Sequence, residues 1–353
     1  MDKNIFRQSI LNWYNKHQRD LPWRQTRDPF KIWLSEVIMQ QTRVNQGLPY
    51  YLRFDARFQN VRDLASASEE EVLQLWQGLG YYSRGRNLLY GARFILEEYD
   101  GSMPNTYKDL LSVKGIGKYT AAAIASIAYE EAVPCIDGNV YRVISRVFGV
   151  EDDLHYSAGQ KKIQELCERL ISEDFPGDYN QGVMEFGAIQ CTPRKPDCIH
   201  CIFKENCYAF INNKQQSLPF KSKKVAKKGR FMNYVFFFHE GWVLMNKRSE
   251  KDIWQGLYDF YLLNAQDQVR DEEQVMTILK TLGENMNYMS YRDYRHVLSH
   301  QVIQARISRV EVTSKEMLVE LQNKTELLQF SINELRDLPK PVLINKYLND
   351  EIF

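Results

Sequence analysis

The chain has no run of eighteen apolar residues, so it offers no segment suited to a transmembrane helix. Its first residues, Met1-Asp-Lys-Asn-Ile-Phe-Arg-Gln8, lack the apolar core of a secretory signal. Both absences point to a cytoplasmic chain, nucleoid-associated if the source is a bacterium. A large net charge is missing as well. Forty-six Lys and Arg offset 45 Asp and Glu, leaving +1, so overall charge gives no sign of a nucleic-acid partner. Cysteine is absent beyond Cys207, which confines any metal to the first part of the chain. Acidic residues are absent between Asn206 and His239, where Lys214, Lys221, Lys223, Lys224, Lys227, Lys228 and Arg230 gather. That stretch reads either as a solvated linker or as a basic strap along DNA phosphates.

What is present suggests two domains. The length is 353 residues and the composition is 44% hydrophobic, ample for ordinary cores. Four of the six cysteines fall within Cys191-Thr-Pro-Arg-Lys-Pro-Asp-Cys198-Ile-His-Cys201-Ile-Phe-Lys-Glu-Asn-Cys207, a C-x6-C-x2-C-x5-C pattern. Four thiolates so spaced suit a soft metal centre, either zinc or a [4Fe-4S] cluster. One CxxC with two longer arms departs from the paired knuckles of zinc sites and suits the larger centre better. A disulfide framework fits poorly with a chain that carries no secretory signal. Cys135 and Cys167 read as buried fillers.

Taken in order, Ile5–Gln18 has the apolar face of a helix. Pro29 opens a second, running to about Val44, with Glu36 among Ile32, Trp33, Val37 and Met39. An apolar wall beside Glu36 would raise its pKa and suit it to general-acid work; a carboxylate at a helix edge, paired with a base, is the plain alternative. Ser68-Glu-Glu-Glu71 carries a capping-box signature. Gly78-Leu-Gly-Tyr81-Tyr-Ser-Arg then makes a turn that can offer rings and cations to DNA, or simply pack. Thr106–Val113, Lys114-Gly115-Ile-Gly117-Lys118 and Tyr119–Tyr129 spell a helix, a G-x-G hairpin and a second helix. The glycines permit positive φ and bare N–H groups for a phosphate. Val133-Pro-Cys-Ile-Asp137-Gly-Asn139 leads into a helix that starts near Val140, where Asp137 or Asn139 can serve as a cap. Helices at Gln160–Ile171 and Gln181–Ile189 deliver Cys191. The pattern reads as nine or ten helices before Cys207. Beyond it, Asn233–His239 and Trp242–Asn246 form a hairpin over a Glu-Gly turn, Tyr258–Leu263 and Gln301–Thr313 look like strands, and Glu272–Leu282 and Val342–Leu348 look helical. The second half is therefore a separate α+β domain.

The four-cysteine loop resembles that of the helix-hairpin-helix DNA glycosylases of the endonuclease III superfamily, and the resemblance implies one [4Fe-4S] cluster on Cys191, Cys198, Cys201 and Cys207. With Trp33-Leu-Ser-Glu36-Val-Ile-Met-Gln-Gln-Thr42, the Gly78 turn, Gly115-Ile-Gly-Lys-Tyr119 and Ile136-Asp137-Gly-Asn139, the first 210 or so residues resemble the MutY branch of that superfamily. The second half looks, more loosely, like its Nudix-like domain. The resemblance implies an all-α helix-hairpin-helix glycosylase domain at 1–210, with the hairpin near 106–129 and the cysteine loop at 191–207. A basic linker at 211–230 and a Nudix-like α+β recognition domain at 231–353 follow. It implies a chain that flips adenine out of a duplex where it faces 8-oxoguanine or guanine; a monomer is expected because the sequence shows no coiled coil or obvious exposed seam. Glu36 would protonate the base and Asp137 would stabilise the sugar cation, with Tyr119 and Asn139 in the same site. Arg19, Leu21, Trp23, Arg24 and Gln181 match positions around the adenine. Gln41, Thr42, Tyr81, Gly115, Gly117 and Lys118 match DNA-contacting positions. Ser299 and His300 match a loop that senses 8-oxoguanine, although Leu298 stands where the family has an aromatic. In the strand-nicking relatives a lysine follows the hairpin where Tyr119 stands here; Lys118 lies about a hundred degrees round the helix. The chain should thus hydrolyse the glycosidic bond without an efficient lyase step. The alternatives are a bifunctional glycosylase/lyase and a non-enzymatic iron–sulfur DNA-binding protein. A Nudix hydrolase fits poorly, because Gly256 is not followed by the acidic helix that such enzymes need.

Overall fold

The computed structural model describes residues 1–222, 227–263, 271–283 and 285–353. Lys223 and Lys224 of the basic stretch lie outside them. The chain divides into two compact units. One comprises Met1–Ala67 and Asn87–Lys224, the other Ser68–Arg86 and Val225–Phe353.

The first 211 residues carry α1 (Lys3–His17), α2 (Pro29–Met39), α3 (Val44–Arg57), α4 (Val61–Ser66), α5 (Glu69–Trp76), α6 (Ser83–Glu98), α7 (Tyr107–Leu110), α8 (Lys118–Tyr129), α9 (Gly138–Phe148), α10 (Ser157–Leu170), α11 (Pro176–Glu185) and α12 (Tyr208–Ile211). Eleven α-helices thus precede Cys207, where nine or ten were expected. The Gln40 backbone is extended and Gln41 takes φ +55°, so the predicted helix to Val44 stops at Met39 and α3 starts afresh. Local chemistry sets the starts. Asp28 caps α2 and Pro29 occupies its first position; Ser68 accepts from the Glu71 N–H as the capping signature predicts.

The core of the first unit is aromatic. Phe6 and Trp13 of α1 meet Phe203 and Phe186, with Phe6 and Phe203 stacked at 4.9 Å and Trp13 edge-on to Phe186 at 5.0 Å. Phe203 belongs to the cysteine loop, so this ring roots an otherwise largely exposed loop in the core. Cys135 and Cys167 are buried, as expected of fillers.

The second unit is built on a mixed sheet of order β3-β2-β1-β6-β5, with β4 added to β1 and β7 to β2. Its strands are β1 (Lys228–His239), β2 (Trp242–Lys247), β3 (Tyr258–Asp259), β4 (Tyr261–Leu262), β5 (Met286–Val297), β6 (Gln301–Val312) and β7 (Leu328–Ser331). β1 and β6 run parallel and the other pairs antiparallel. The hairpin turn has Glu240 at φ +41° and Gly241 at +85°, the two positive angles of a tight I′ connection. Alternate residues of β1 serve opposite faces. Val235 and Phe237 pack with α13 (Glu272–Leu279) and α14 (Lys315–Thr325). Phe236 meets Phe260 and Tyr347, the latter on α15 (Val342–Glu351).

Candidate active site

A cleft of about 450 Å³ opens in the first unit, lined from α2, α8, α9, α11 and the segment between α1 and α2. Four sequence-predicted catalytic residues line it: Glu36, Tyr119, Asp137 and Asn139. So do Arg19, Leu21, Trp23, Arg24 and Gln181, together with Thr42. Residues drawn from positions 19 to 181 therefore meet in one place. Gln41 is exposed on its left-handed turn beside the cleft's Thr42. Tyr81 belongs to the second unit, 45% exposed and at φ +49°.

Glu36, partly open into the cleft, stands on α2 next to the buried Trp33, Ser35 and Val37. Burial pushes its carboxyl up to about 7; a hydrogen bond with Tyr119 pulls down, Asp137 pushes up and Arg24 pulls down again. The Tyr119 hydroxyl is itself held well above its ordinary range, by burial first and then by the Glu36 and Asp137 charges. Its oxygen lies 3.2 Å from the Met184 sulfur.

Asp137 does cap a helix. Its Oδ1 accepts from the N–H groups of Asn139 and Val140, each at 2.8 Å, and its Oδ2 accepts from the Asn139 amide at 2.7 Å. Burial still leaves its pKa above the usual carboxylate value. Those three hydrogen bonds and the Arg142 charge oppose the rise. The two carboxyls of the cleft are thus differently equipped. Glu36 has one hydrogen-bonding side chain and stays protonated to near neutrality; Asp137 has a helix N-terminus and an arginine behind its anion.

Glu185, Arg142 and Arg146 went unnoticed in the sequence. Glu185 is buried, and burial would raise its pKa, but hydrogen bonds from Arg19 and Arg24 hold it at about 2. Arg19 donates from Nε and Nη2, both at 2.6 Å, and Arg24 from Nη2 at 2.7 Å. This carboxylate fixes two cations at the cleft wall. Their partners lie 166 and 161 residues away, so no local pattern signals them. Arg142 donates to Asn139 Oδ1 at 2.7 Å, to the Gly187 carbonyl at 2.6 Å and to the Cys191 carbonyl at 2.7 Å.

The hairpin before α8 forms, with positive φ at one of its two glycines only: Gly115 sits at φ +89°, where a Cβ would come within 2.8 Å of the Asn87 Cβ, while Gly117 is extended at φ −89°. Gly117 is the N-cap of α8, and Lys118, exposed, opens the helix. An open helix N-terminus with a lysine beside it is a phosphate site in kind.

The cysteine loop follows α11 and a short wide turn over Phe186–Gln190. Arg146 donates to Cys191 Sγ at 3.4 Å and to the carbonyls of Thr192 and Pro193 at 2.8 and 3.0 Å. The Cys207 thiol donates to the Arg146 carbonyl at 3.5 Å. Burial raises the Cys201 thiol to about 12, with the other three loop cysteines close enough to add to the rise. Arg146 thus touches the first and last cysteines of the loop, and four thiols are the donor chemistry of a four-thiolate centre. Among the described residues, however, no group of three or more His, Cys, Asp or Glu is drawn into metal-binding geometry.

In the second unit, Leu298, Ser299 and His300 form the link between β5 and β6. Ser299 and His300 are exposed and 3.3 Å apart through Oγ and Nδ1. No helix among the described residues is long and apolar enough to cross a membrane.

Fold and site define a helix-hairpin-helix DNA glycosylase joined to a Nudix module. Residues 34–171 match the HhH-GPD superfamily base excision DNA repair protein model and residues 233–350 match the NUDIX domain model. A solved thermostable thymine-DNA glycosylase superposes with a TM-score of 0.54 at 30% identity, over 60% of this chain and 97% of that one. Endonuclease III in a non-covalent DNA complex gives 0.52 at 19% identity, over 60% and 98%, a likeness of fold alone. The adenine DNA glycosylase of Buchnera aphidicola (Acyrthosiphon pisum) is 33% identical over 86% of this chain and 85% of its own. The human adenine DNA glycosylase is 44% identical over 60% of this chain and 41% of its own. The chain belongs to the adenine DNA glycosylase family, MutY, whose work is base-excision repair by removal of adenine.

Proposed function

We propose that this chain, a monomer acting in the cytoplasm on duplex DNA, hydrolyses the glycosidic bond of adenine placed opposite 8-oxoguanine or guanine, and leaves the strand intact. One observation carries the reading: a glutamate whose pKa is held at about 7 faces the same cleft as a helix-capped aspartate. The flipped adenine occupies the cleft among Arg19, Leu21, Trp23, Arg24 and Gln181. Adenine leaves poorly as an anion, so Glu36, still protonated near neutral pH, gives its proton to a ring nitrogen as the C–N bond breaks. The sugar gains oxocarbenium character and Asp137, backed by Arg142 and the start of α9, answers it with negative charge. Tyr119 keeps Glu36 oriented through its hydrogen bond. Water then adds to the sugar. No amine stands in the place of Tyr119, which is why a strand-cleaving Schiff base does not form.

Outside the cleft, Gly115, Gly117 and Lys118 hold a phosphate, while Gln41 and Tyr81 enter the duplex from their left-handed turns. The exposed Ser299 and His300 meet the base opposite the adenine. Cys191, Cys198, Cys201 and Cys207 hold one [4Fe-4S] cluster. When bound, that cluster would tie the four thiolates together and so fix the loop that Arg142 and Arg146 grip.

The test is a single-turnover assay on a labelled duplex with adenine opposite 8-oxoguanine, each time point split with and without hot alkali. Product seen only after alkali supports the reading. Nicking without alkali would assign Lys118 or another amine a lyase role and place the chain with the bifunctional glycosylases instead. Binding of the duplex with no base release under either condition would leave a non-catalytic DNA-binding protein.

A further inference from the structure

Residues 130–137, the stretch between α8 and α9 that delivers Asp137, form neither helix nor strand. Buried backbone groups in such a stretch need partners from elsewhere in the chain. The Asn180 side chain supplies two. Asn180 lies on α11 and is only 2% exposed. Its Oδ1 accepts from the Cys135 N–H at 3.0 Å, and its Nδ2 donates to the Val133 carbonyl at 2.8 Å. One amide thus bonds residues i and i+2 of the stretch, much as a neighbouring strand would. Nδ2 also donates to Ser126 Oγ on α8, at 2.9 Å. Ser126 is fully buried, and its Oγ lies 3.8 Å from the Cys135 sulfur.

Two helices converge on this amide. Ser126 follows Tyr119 by two turns on one face of α8, and Met184 follows Asn180 by one turn on α11. The Tyr119 oxygen and the Met184 sulfur meet at the other end of that contact. Asn180 therefore ties together three segments, and each gives the catalytic cleft a residue: Tyr119 from α8, Asp137 from the stretch, Gln181 from α11. Packing supports the stretch on one side only. Cys135 turns inward and is buried, whereas Val133, Pro134 and Ile136 are partly exposed and line a second cavity of about 500 Å³. Tyr119 lines both cavities. The second cavity gives the stretch room to draw back from the catalytic cleft, and the Asn180 bonds oppose that movement.

We infer that Asn180 is a positioning residue for the sugar-stabilising carboxylate: its amide fixes the Val133–Cys135 backbone and so sets where Asp137 meets the developing cation. The inference rests on the role given to Asp137 under Proposed function. Asn180 is not among the residues that line the cleft, so its effect on the reaction passes through the stretch. The cap bonds to Asn139 and Val140 fix the Asp137 side chain against α9. Asn180 fixes the chain on the other side of the same residue. Placement matters at this scale, because a shift of about 1 Å in a catalytic group can cost about 10²-fold in rate.

The experiment measures Kd for two duplexes that carry no base at the target position, each opposite 8-oxoguanine, with full-length protein. One has a neutral tetrahydrofuran ring there. The other has a pyrrolidine whose protonated nitrogen stands in for the sugar cation. A carboxylate aimed at that cation favours the charged ring, so the ratio of the two constants reads the placement of Asp137. Asn180→Leu keeps the bulk and removes the three bonds. It should cut the ratio about tenfold, leave Kd for the neutral duplex nearly unchanged, and slow single-turnover release of adenine. Ser126→Ala takes away one partner but spares both backbone bonds, and should keep the ratio. If the leucine variant does not fold, Asn180→Ala carries the same expectation. A merely structural role would lower Tm and weaken both duplexes alike at an unchanged ratio, and that result overturns the inference. An equal loss of the ratio in Ser126→Ala also overturns it, by assigning the effect to the contact between α8 and α11. Failure of the parent reading looks different, since the chain without substitutions would then bind the two duplexes equally and both readings would fall. A preference for the charged ring that survives in Asn180→Leu sinks this inference alone.

Discussion

Arg142 reaches Asn139 and Cys191 with one guanidinium: 2.7 Å to the Asn139 side-chain oxygen and 2.7 Å to the Cys191 carbonyl. Asn139 in turn donates to Asp137 at 2.7 Å. The catalytic aspartate of the proposed mechanism is thus two hydrogen bonds, and the first residue of the cysteine loop one, from a shared, buried cation. Replacing Arg142 by Met strips four donated bonds, takes one donor each from the Gly138, Gly187 and Cys191 carbonyls, and removes a charge that lowers the Asp137 pKa. The expected outcome is a single-turnover rate lower by about ten- to a hundredfold, at about 1.4 kcal/mol per factor of ten. Visible iron–sulfur absorbance should be lost sooner on standing. Arg142→Lys keeps the charge without the planar fork and should recover only part of either. A purely local packing role would leave the absorbance decay untouched.

Glu36 sets the pH dependence. A general acid must be protonated, and burial holds Glu36 at about 7. The chemical rate should therefore be level through mildly acidic pH and fall roughly tenfold per unit well above pH 7. Single-turnover rates across pH 5.5–9 at saturating protein measure this. A flat profile to pH 9 would mean that another group gives the proton. Glu36→Gln should lower the rate by about 10²–10⁴-fold with duplex affinity retained.

The same residue makes an opposite prediction for stability. The folded-state pKa of Glu36 is raised, from 4.5 to about 7. Its contribution is thus fully present below the unfolded value and is lost as pH rises through 7, because folding then costs an ionised carboxyl its water. The difference amounts to about 3 kcal/mol at most. Glu36→Gln removes the penalty, so the variant should melt several degrees above the unsubstituted chain at pH 8 and near it at pH 5. Matched thermal scans at the two pH values decide the matter. An active-site residue that stabilises when removed is what a strained catalytic group predicts.

Much of this was legible in the sequence because the signals were local. The G-x-G hairpin, the Ser68 cap, the Glu-Gly turn and the four cysteines each need only neighbours. Glu36 was legible because its apolar surroundings sit on the same helix turn. The break after Met39 was not, since Gln40 and Gln41 are good helix formers and tertiary context overrides them. β5 was missed for a different reason. Its residues Ser290-Tyr-Arg-Asp-Tyr-Arg295 are mostly exposed, so no alternation of apolar and polar marks them as strand. β3 and β4 split what read as one strand at Phe260. Arg142 and Glu185 were invisible because a buried ion is defined by partners that the fold brings from far along the chain.

Glu185 tests whether the cleft wall is held electrostatically. Its two arginines grip one carboxylate, with Arg24 nearly as buried as Glu185 and Arg19 partly open to water. The folded pKa is depressed, from 4.5 to about 2. The stabilisation it represents is present above the unfolded value and disappears as pH falls through 2. In Glu185→Gln the shape survives but the anion does not, and two like charges then face each other across the cleft wall. The open Arg19 lets solvent screen part of the loss, so the cost at pH 7 should be about 2 kcal/mol rather than the larger figure for a sealed pair. Denaturant titrations at pH 7 and pH 3 should show the two chains converging as the pH drops. Because Arg19 and Arg24 line the cleft, the variant should also lose adenine-dependent affinity, read as Kd for a duplex with adenine against one with an abasic analogue at the same place. Equal stability at pH 7 together with an unchanged affinity difference would show that the two arginines are placed by packing alone.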